Sequence, residues 1–505
     1  MTATETPSGL PRLPRLSAAY DGAPRLSGLR PGIVHLGLGN FHRAHQAVYT
    51  RTALDAAGGD WGIIGVSSRS ETVAAALKAQ DLLYTVVEIS PAGESFSIPA
   101  VHTDAFAAAA DPRRAVREIA APSTRIVSLT VTENGYCYSP RTGHLAADHS
   151  GIQHDLRHAE SPRTPIGQIV RALQERARSH GEPITVLSCD NLAENGHHTE
   201  RLLKEFAGLL PGREAAEVLA FLEHRVTFPS TMVDRIVPAT TDYYRGLVAS
   251  GRGYRDSVPV PAEPFTMWIL EDDFAAGRPA WEAGGAVFSD EVGLYEQLKV
   301  RLLNGTHSLI AYLGALSGAA TIPESVGTDA IEAAARRVLR DEYLPSVTAP
   351  RVVDLAAYEE QLFGRWRNTA LGHRTSQVGT DGSVKLRQRI PEPAIGLLDA
   401  GTMPHFLALT VAGYLACLAP MAGFDPGPHA AAMTDPARRM LAEAAAESAT
   451  AHDLTQRVLR DEHLLGEELA GRDDFIGRTA ELLDTIHRRG ALAAAAEAGA
   501  TSSIH

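Results

Sequence analysis

A chain of 505 residues with 44% hydrophobic residues is long enough for two or three domains with their own cores, and its formal net charge of −13 opposes docking on nucleic acid or on an anionic membrane surface. Its three cysteines, Cys137, Cys189 and Cys417, are far apart and form no CxxC pair, so neither a disulfide framework nor a cysteine zinc site is expected. The opening MTATETPSGLPRLPRLS lacks the apolar run of a signal peptide, and no run of about 18 apolar residues follows, so a cytoplasmic protein that does not span a membrane is expected.

From residue 33 to about 289, short β-branched runs alternate with helical stretches, which predicts an α/β Rossmann-type dinucleotide-binding domain over 1–290. Continuous apolar runs at 33–36, 63–66, 84–88, 126–131 and 184–188 read as strands buried on both faces of a parallel sheet, with ligands expected past their carboxyl ends. After the glycine-rich WEAGGAVFSD, amphipathic stretches at 291–316, 326–345, 352–367, 402–418 and 435–488 predict a mostly α-helical, substrate-binding C-terminal domain over 291–505. Alanine-rich stretches at 438–450 and 491–500 are helix-prone and carry no functional signal.

The first strand runs into Gly37-Leu38-Gly39-Asn40-Phe41-His42. Gly37 permits a tight turn and Gly39 lets backbone N–H groups approach a pyrophosphate at the start of the next helix, while His42 stands where the fingerprint has its third glycine. A ligand-free glycine turn fits GxGxx by itself; the flanking strand and helix favour a dinucleotide. Past the second strand, Ser67-Ser68-Arg69-Ser70-Glu71 displaces the acidic residue that would take the adenosine ribose. Arg69 suits a 2′-phosphate and Glu71 a free ribose hydroxyl, so the reading leans to NAD with NADP as the alternative, and the lesser reading of Arg69 is a solvated surface charge.

The segment 295–308, YEQLKVRLLNGTHS, should be helical. With Lys299 at zero and about 100° per residue, His307 falls at roughly 80° and Asn304 at roughly 140°, within half the circumference, and Lys299 to His307 spans about 12 Å of axis. Dehydrogenating an alcohol needs a base for the hydroxyl proton and donors for the developing alkoxide. A lysine buried beside an apolar nicotinamide loses preference for its charged form and suits the first task, and asparagine amides suit the second. The plainer reading is a surface lysine, a helix break at Asn304-Gly305 and a satisfied core histidine, and spacing favours it. Asn191, directly past the strand 184–188, is a second candidate donor or simply turn chemistry. Asp234 could accept from substrate hydroxyls or pair with a neighbouring arginine.

Seven ordered blocks, IVHLGLGNFHRAHQAVYT, SLTVTENGY, SCDNLAENG, FPSTMVDRIVP, EPFTMWILEDDFAAGRPAW, KVRLLNGTHS and DGSVKLRQR, resemble the mannitol dehydrogenase family of polyol-specific long-chain dehydrogenases over nearly the whole chain. The resemblance implies Lys299 as general base, Asn191 and Asn304 as the oxyanion site, His307 as a substrate-positioning residue, Asp234 and Lys385 as substrate contacts and Glu296 as a proton route. It also implies that no catalytic metal is needed, with His42 and His45 belonging to the cofactor turn, and a monomer or small homo-oligomer acting on a polyol or keto-sugar acid.

Within that family, ENGHH at 194–198, TFPSTMVDRIVP at 227–238 and HRTSQVGTDGSVKLRQR at 373–389 resemble the fructuronate reductase branch more than the mannitol 2-dehydrogenases. Gln377 replaces an arginine of the mannitol type, and Arg374 or Lys385 would then meet a substrate carboxylate; Arg387 stands where relatives usually have proline. Mannitol, arabinitol or another polyol as substrate, and a noncatalytic NAD-binding protein, are the alternatives.

Overall fold

The computed structural model describes residues 13–22, 24, 28–139 and 142–501. Contacts divide the chain into a first unit ending at Gly293 and a second beginning at Leu294.

Twelve strands lie in the described part of the first unit: β1 (Pro31–Leu36), β2 (Gly62–Ser67), β3 (Val86–Ser90), β4 (Gly93–Ser97), β5 (His102–Ala107), β6 (Ile126–Leu129), β7 (Ile184–Ser188), β8 (Val226–Thr227), β9 (Thr231–Asp234), β10 (Val260–Ala262), β11 (Met267–Leu270) and β12 (Val287–Phe288). Six form one parallel sheet in the order β5-β2-β1-β6-β7-β8. Every residue of β6 and β7 is buried, which is why these strands read as unbroken apolar runs. The chain builds outward from β1 through β2 to β5, then returns to place β6 on the other side of β1. The order therefore reverses between β1 and β6, the point at which a doubly wound sheet opens a crevice beyond its strand ends. The α/β Rossmann-type expectation is borne out.

Three details differ from the sequence reading. The run 84–88 does not enter the main sheet: β3 begins at Val86, pairs antiparallel with β4 and parallel with β10, and forms a small separate sheet. The edge strand β5, HTDAFA, escapes the reading because its polar residues break the apolar run. And β6 stops at Leu129 rather than 131, because the amides of Val131 and Thr132 turn away to donate to the Asp190 carboxylate at 2.9 and 3.0 Å.

The second unit is helical among its described residues, with the helix His405–Leu418 at its centre. All fourteen of its residues are buried, as an all-round apolar helix requires. It packs on the helices Thr306–Leu316 and Asp473–Arg489. Its first turn has no capping side chain of its own; the buried Glu342 accepts from the amides of Phe406 and Leu407 at 2.8 and 2.7 Å instead. The stretch 435–488 is broken into Arg438–Glu447, Ala451–Gln456, a π-helical Arg457–Asp461, Glu467–Ala470 and Asp473–Arg489, and a capping box at Thr450 and Asp453 restarts the second of these.

Gly37, at the end of β1, has φ +109°, and a Cβ there would fall 2.0 Å from the Thr130 carbonyl oxygen. Gly37→Ala is therefore expected to lower the urea midpoint by the equivalent of at least about 1–3 kcal/mol from backbone strain alone; an unchanged midpoint would show that the turn relaxes freely. Burial pushes the Glu342 carboxyl up from 4.5 to about 8. Because the folded value lies above the unfolded one, the contribution of Glu342 to stability falls as pH rises across that window, by at most about 1.4 kcal/mol per pH unit. Glu342→Gln should remove this slope, read as urea stability at pH 5, 6, 7 and 8; parallel wild-type and variant profiles would contradict it.

Candidate active site

In the first unit, Gly37 and Leu38 both donate to the Val66 carbonyl, at 2.8 and 3.2 Å, and Gly39 donates back to Gly37 O at 2.6 Å, so the turn after β1 is bound to β2 and folded on itself. Gly39 is exposed, and the nearest atom to a Cβ placed there is Gly37 O at 3.8 Å, so its outer side is open. The helix Asn40–Ala44 starts there with no side-chain cap on its first amides. The Asn40 side chain is committed elsewhere: its amide donates to Pro238 O at 3.1 Å and Thr240 Oγ1 at 3.2 Å, and its oxygen accepts from Arg43 at 2.6 Å. Phe41, half-buried, stacks on His45.

The assignment of His42 to the cofactor turn is corrected by its burial. Its ring is wholly inside, with Nδ1 3.0 Å from Gln46 Oε1 and Nε2 3.1 Å from His102 Nε2. His42 fills the space between helix and strand that a third glycine would close by direct backbone contact. His45 is also buried, with Nε2 3.0 Å from the Met267 carbonyl. Arg69 is exposed at the tip after β2, where Ser67 Oγ donates to Ser70 O at 2.6 Å to shape the loop.

Asn191 is exposed directly after β7 and Asp190. Two residues missed by the sequence reading build its surroundings. Asp190 accepts from Val131, Thr132 and the Tyr136 hydroxyl, gathering the loops after β6 and β7. Asn195 donates to Asp190 O at 3.0 Å and Thr231 O at 2.9 Å and accepts from the Thr231 amide at 2.8 Å, tying that loop to β9. Asp190 carried a sequence signal, a polar residue just past a buried strand, whereas Asn195 opens the helix Asn195–Gly208 and carried none. Asp234 ends β9 and is 5% exposed, while its neighbour Arg235 pairs with Glu88 and donates to Glu263 O and Ala44 O.

In the second unit the predicted single helix 291–316 is three pieces: α-helical Val292–Leu298, π-helical Lys299–Gly305 and α-helical Thr306–Leu316. This corrects the angular argument. A π turn is closed by i→i+5 bonds, so Asn304 lies one turn along from Lys299 rather than well around the helix from it. Nor is Asn304-Gly305 a helix break. A Cβ at Gly305 would fall 2.3 Å from Tyr343 Cζ, so the glycine makes room for that ring. Arg389, another residue the sequence did not single out, donates to Asn304 O at 2.9 Å and Ser308 Oγ at 2.7 Å and pins the widened turn.

Lys299 is buried, not a surface charge, and Glu296, half-buried, precedes it by one turn. His307 is buried against Trp366 and edge-on to His373, ring centroids 6.0 and 5.2 Å away, and its Nε2 has no hydrogen-bond partner among the described residues. It is therefore not a satisfied core histidine. Burial, followed by nearby His373, Arg389, Arg365 and Lys385, holds its ring well below the usual histidine range, and burial pushes His373 down to about 4, so both are neutral near pH 7. Lys385 donates to Thr380 O at 2.6 Å and Val378 O at 3.3 Å. Arg374 and Gln377 are exposed at and just inside the start of the helix Thr375–Gly379.

The unit thus gathers a buried amine, an amide on the same helix and a neutral imidazole with a spare nitrogen, the groups needed to move a proton and hold a hydroxyl or alkoxide. No group of three or more His, Cys, Asp or Glu side chains is placed to hold a metal ion among the described residues, and no described helix is long and apolar enough to cross a membrane.

Comparison with known proteins covers both units. Residues 31–283 match the mannitol dehydrogenase Rossmann domain and residues 291–487 the mannitol dehydrogenase C-terminal domain. The chain is 38% identical over 472 residues to the D-mannonate oxidoreductase of Escherichia coli, covering 92% of this chain and 95% of that one. It is 39% identical over 384 residues to the mannitol 2-dehydrogenase of Cereibacter sphaeroides, covering 75% and 79%. Among solved structures, the Pseudomonas fluorescens mannitol 2-dehydrogenase ternary complex with NAD and D-mannitol superposes with a TM-score of 0.85 at 33% identity, covering 94% of this chain and 95% of that one. With both family domains matched in order and relatives of this identity along nearly its full length, the chain belongs to the mannitol dehydrogenase family of oxidoreductases.

Proposed function

We propose that the protein interconverts a secondary alcohol and a ketone on an open-chain sugar derivative with NAD as hydride carrier, and that its substrate pair is fructuronate and mannonate. The observation that supports the substrate is the 38% identity over 472 residues to a D-mannonate oxidoreductase. The electrostatics of the second unit support an anionic substrate: Arg389, Arg365 and Lys385 all lie close enough to depress the His307 ring.

The first unit fits a dinucleotide. Gly37 supplies the left-handed turn, Gly39 leaves its outer side open, and the uncapped amides at Asn40 and Phe41 offer donors to a pyrophosphate. Arg69 and Glu71 flank the place of the adenosine ribose, and the exposed Arg69 makes NADPH a carrier to test beside NADH. The bound nicotinamide supplies hydride to the ketone in reduction and takes it up in the reverse reaction.

Lys299 is the acid that protonates the alkoxide in reduction and the base that removes the hydroxyl proton in oxidation, and Glu296 passes protons onward to solvent. The side-chain amides of Asn191 and Asn304 donate to the developing alkoxide. His307 uses its spare Nε2 to fix a substrate hydroxyl, Asp234 accepts from others, and Arg374 and Lys385 bind the carboxylate. No step calls for a metal ion. A second reading, mannitol 2-dehydrogenase with the mannitol and fructose pair, is favoured by the likeness to the Pseudomonas fluorescens enzyme.

Initial rates of NADH and NADPH oxidation with fructuronate, tagaturonate, fructose and xylulose at equal concentration test the assignment. Fructuronate should lead with NADH; a lead for fructose would transfer the protein to the second reading. Lys299→Ala should cut kcat by about 100-fold or more while leaving NADH binding intact, and near-normal turnover in that variant would refute the role of the lysine.

A further inference from the structure

Behind the turn at Gly37 lie three histidines from three elements: His35 on β1, His42 on the helix Asn40–Ala44 and His102 at the start of β5, each with no exposed surface. The rings of His35 and His42 stack with centroids 3.5 Å apart and planes 12° from parallel. His42 Nε2 meets His102 Nε2 at 3.1 Å, and Gln46 Oε1 lies 3.0 Å from His42 Nδ1 and accepts from the Ser128 hydroxyl at 3.0 Å. Burial pushes His35 and His102 down to about 3 and holds His42 below the usual range, so all three rings are neutral. The proposed alcohol chemistry uses none of them.

A neutral imidazole carries one proton, and the neighbours of His35 decide where it sits. Its Nε2 is 3.1 Å from the Gly37 carbonyl oxygen, which only accepts, and 2.8 Å from Thr130 Oγ1. The proton therefore sits on Nε2. Thr130 gives its own hydroxyl proton to the Gly37 carbonyl, so its oxygen also accepts from Nε2. The same carbonyl accepts from Thr130 Oγ1 at 2.9 Å and from the Gly39 amide at 2.6 Å. These donors hold the Gly37 oxygen inward, away from the open side of the turn. Rotation of that peptide would aim a partly negative oxygen at the phosphates that the helix N-terminus is placed to receive.

We infer that His35 is a positioning residue for dinucleotide binding: its Nε2–H, donated to the Gly37 carbonyl, keeps that oxygen turned inward and off the side on which the pyrophosphate binds. The inference rests on the reading of the Gly37 turn as a dinucleotide site. NADH is titrated by fluorescence into wild type, His35→Leu, His35→Gln and Thr130→Val, with melting temperature and steady-state kinetics on the same samples. His35→Leu should weaken NADH binding about tenfold, the scale of one lost neutral hydrogen bond. Its kcat at saturating NADH should stay within about twofold, because the lysine site is untouched. His35→Gln, which restores an N–H at the Nε2 position, should recover most of the affinity, and Thr130→Val, which removes the other side-chain donor to the same carbonyl, should lose about threefold.

Wild-type affinity in a folded His35→Leu overturns the inference. So does a loss that His35→Gln fails to recover, or one in which kcat and melting temperature fall in step with affinity, since any of these makes the ring mere packing. If His35→Leu does not fold, Thr130→Val decides, and unchanged NADH affinity in it overturns the inference. Failure of wild type to bind either NADH or NADPH refutes the dinucleotide reading itself and takes the inference with it, whereas a binding wild type with insensitive variants removes the inference alone.

Discussion

The Gly37 backbone passes so close to the Thr130 carbonyl that no side chain fits between them, and the first unit is organised around that approach. It sits where the strand order reverses, so the two halves of the sheet meet at a bare backbone rather than at a filled core. Polar groups then take over the work that apolar packing does elsewhere. His35 and Thr130 hold the Gly37 carbonyl, Asp190 gathers the amides after β6, and Asn195 fastens the next loop to Thr231. A buried polar network of this kind is stabilising only when its members are paired, which ties each loop beyond the strands to one arrangement.

A different constraint shapes the second unit. Its central helix is apolar on every side, so it must be surrounded, and its N-terminal amides cannot reach water. Glu342 answers them from a neighbouring π-helical segment, and the next residue, Tyr343, lies over Gly305. The capping of one helix and the widening of another are therefore adjacent in sequence. With Arg389 holding Asn304 O, the wide turn keeps Lys299 and Asn304 one turn apart, whereas an ideal α-helix would splay them.

Net charge proves a poor guide to local chemistry. A chain of charge −13 places two arginines and a lysine around the neutral His307. The overall balance bears on solubility and on nonspecific polyanion binding, while what a site attracts depends on charges within a few ångströms, where screening by water and salt is weakest.

What the sequence by itself determined is what depends on neighbours along the chain. Continuous apolar runs marked β1, β2, β6 and β7 because strands covered on both faces need no polar residues. The glycine turn after β1 and the change to helical periodicity near 291 were legible for the same local reason. Ordered blocks of matching residues identified the family. Only the tertiary structure decided the rest. It put β3 in a separate sheet through its pairing with β4 and β10, and it closed β6 early because Asp190, some 60 positions on, drew its amides away. It turned His42 from a cofactor neighbour into packing, and it showed Lys299 buried and His307 with an unsatisfied nitrogen where spacing had favoured a bland helix. Burial, ring stacking and a π turn are set by groups far apart in sequence, and no local periodicity carries them.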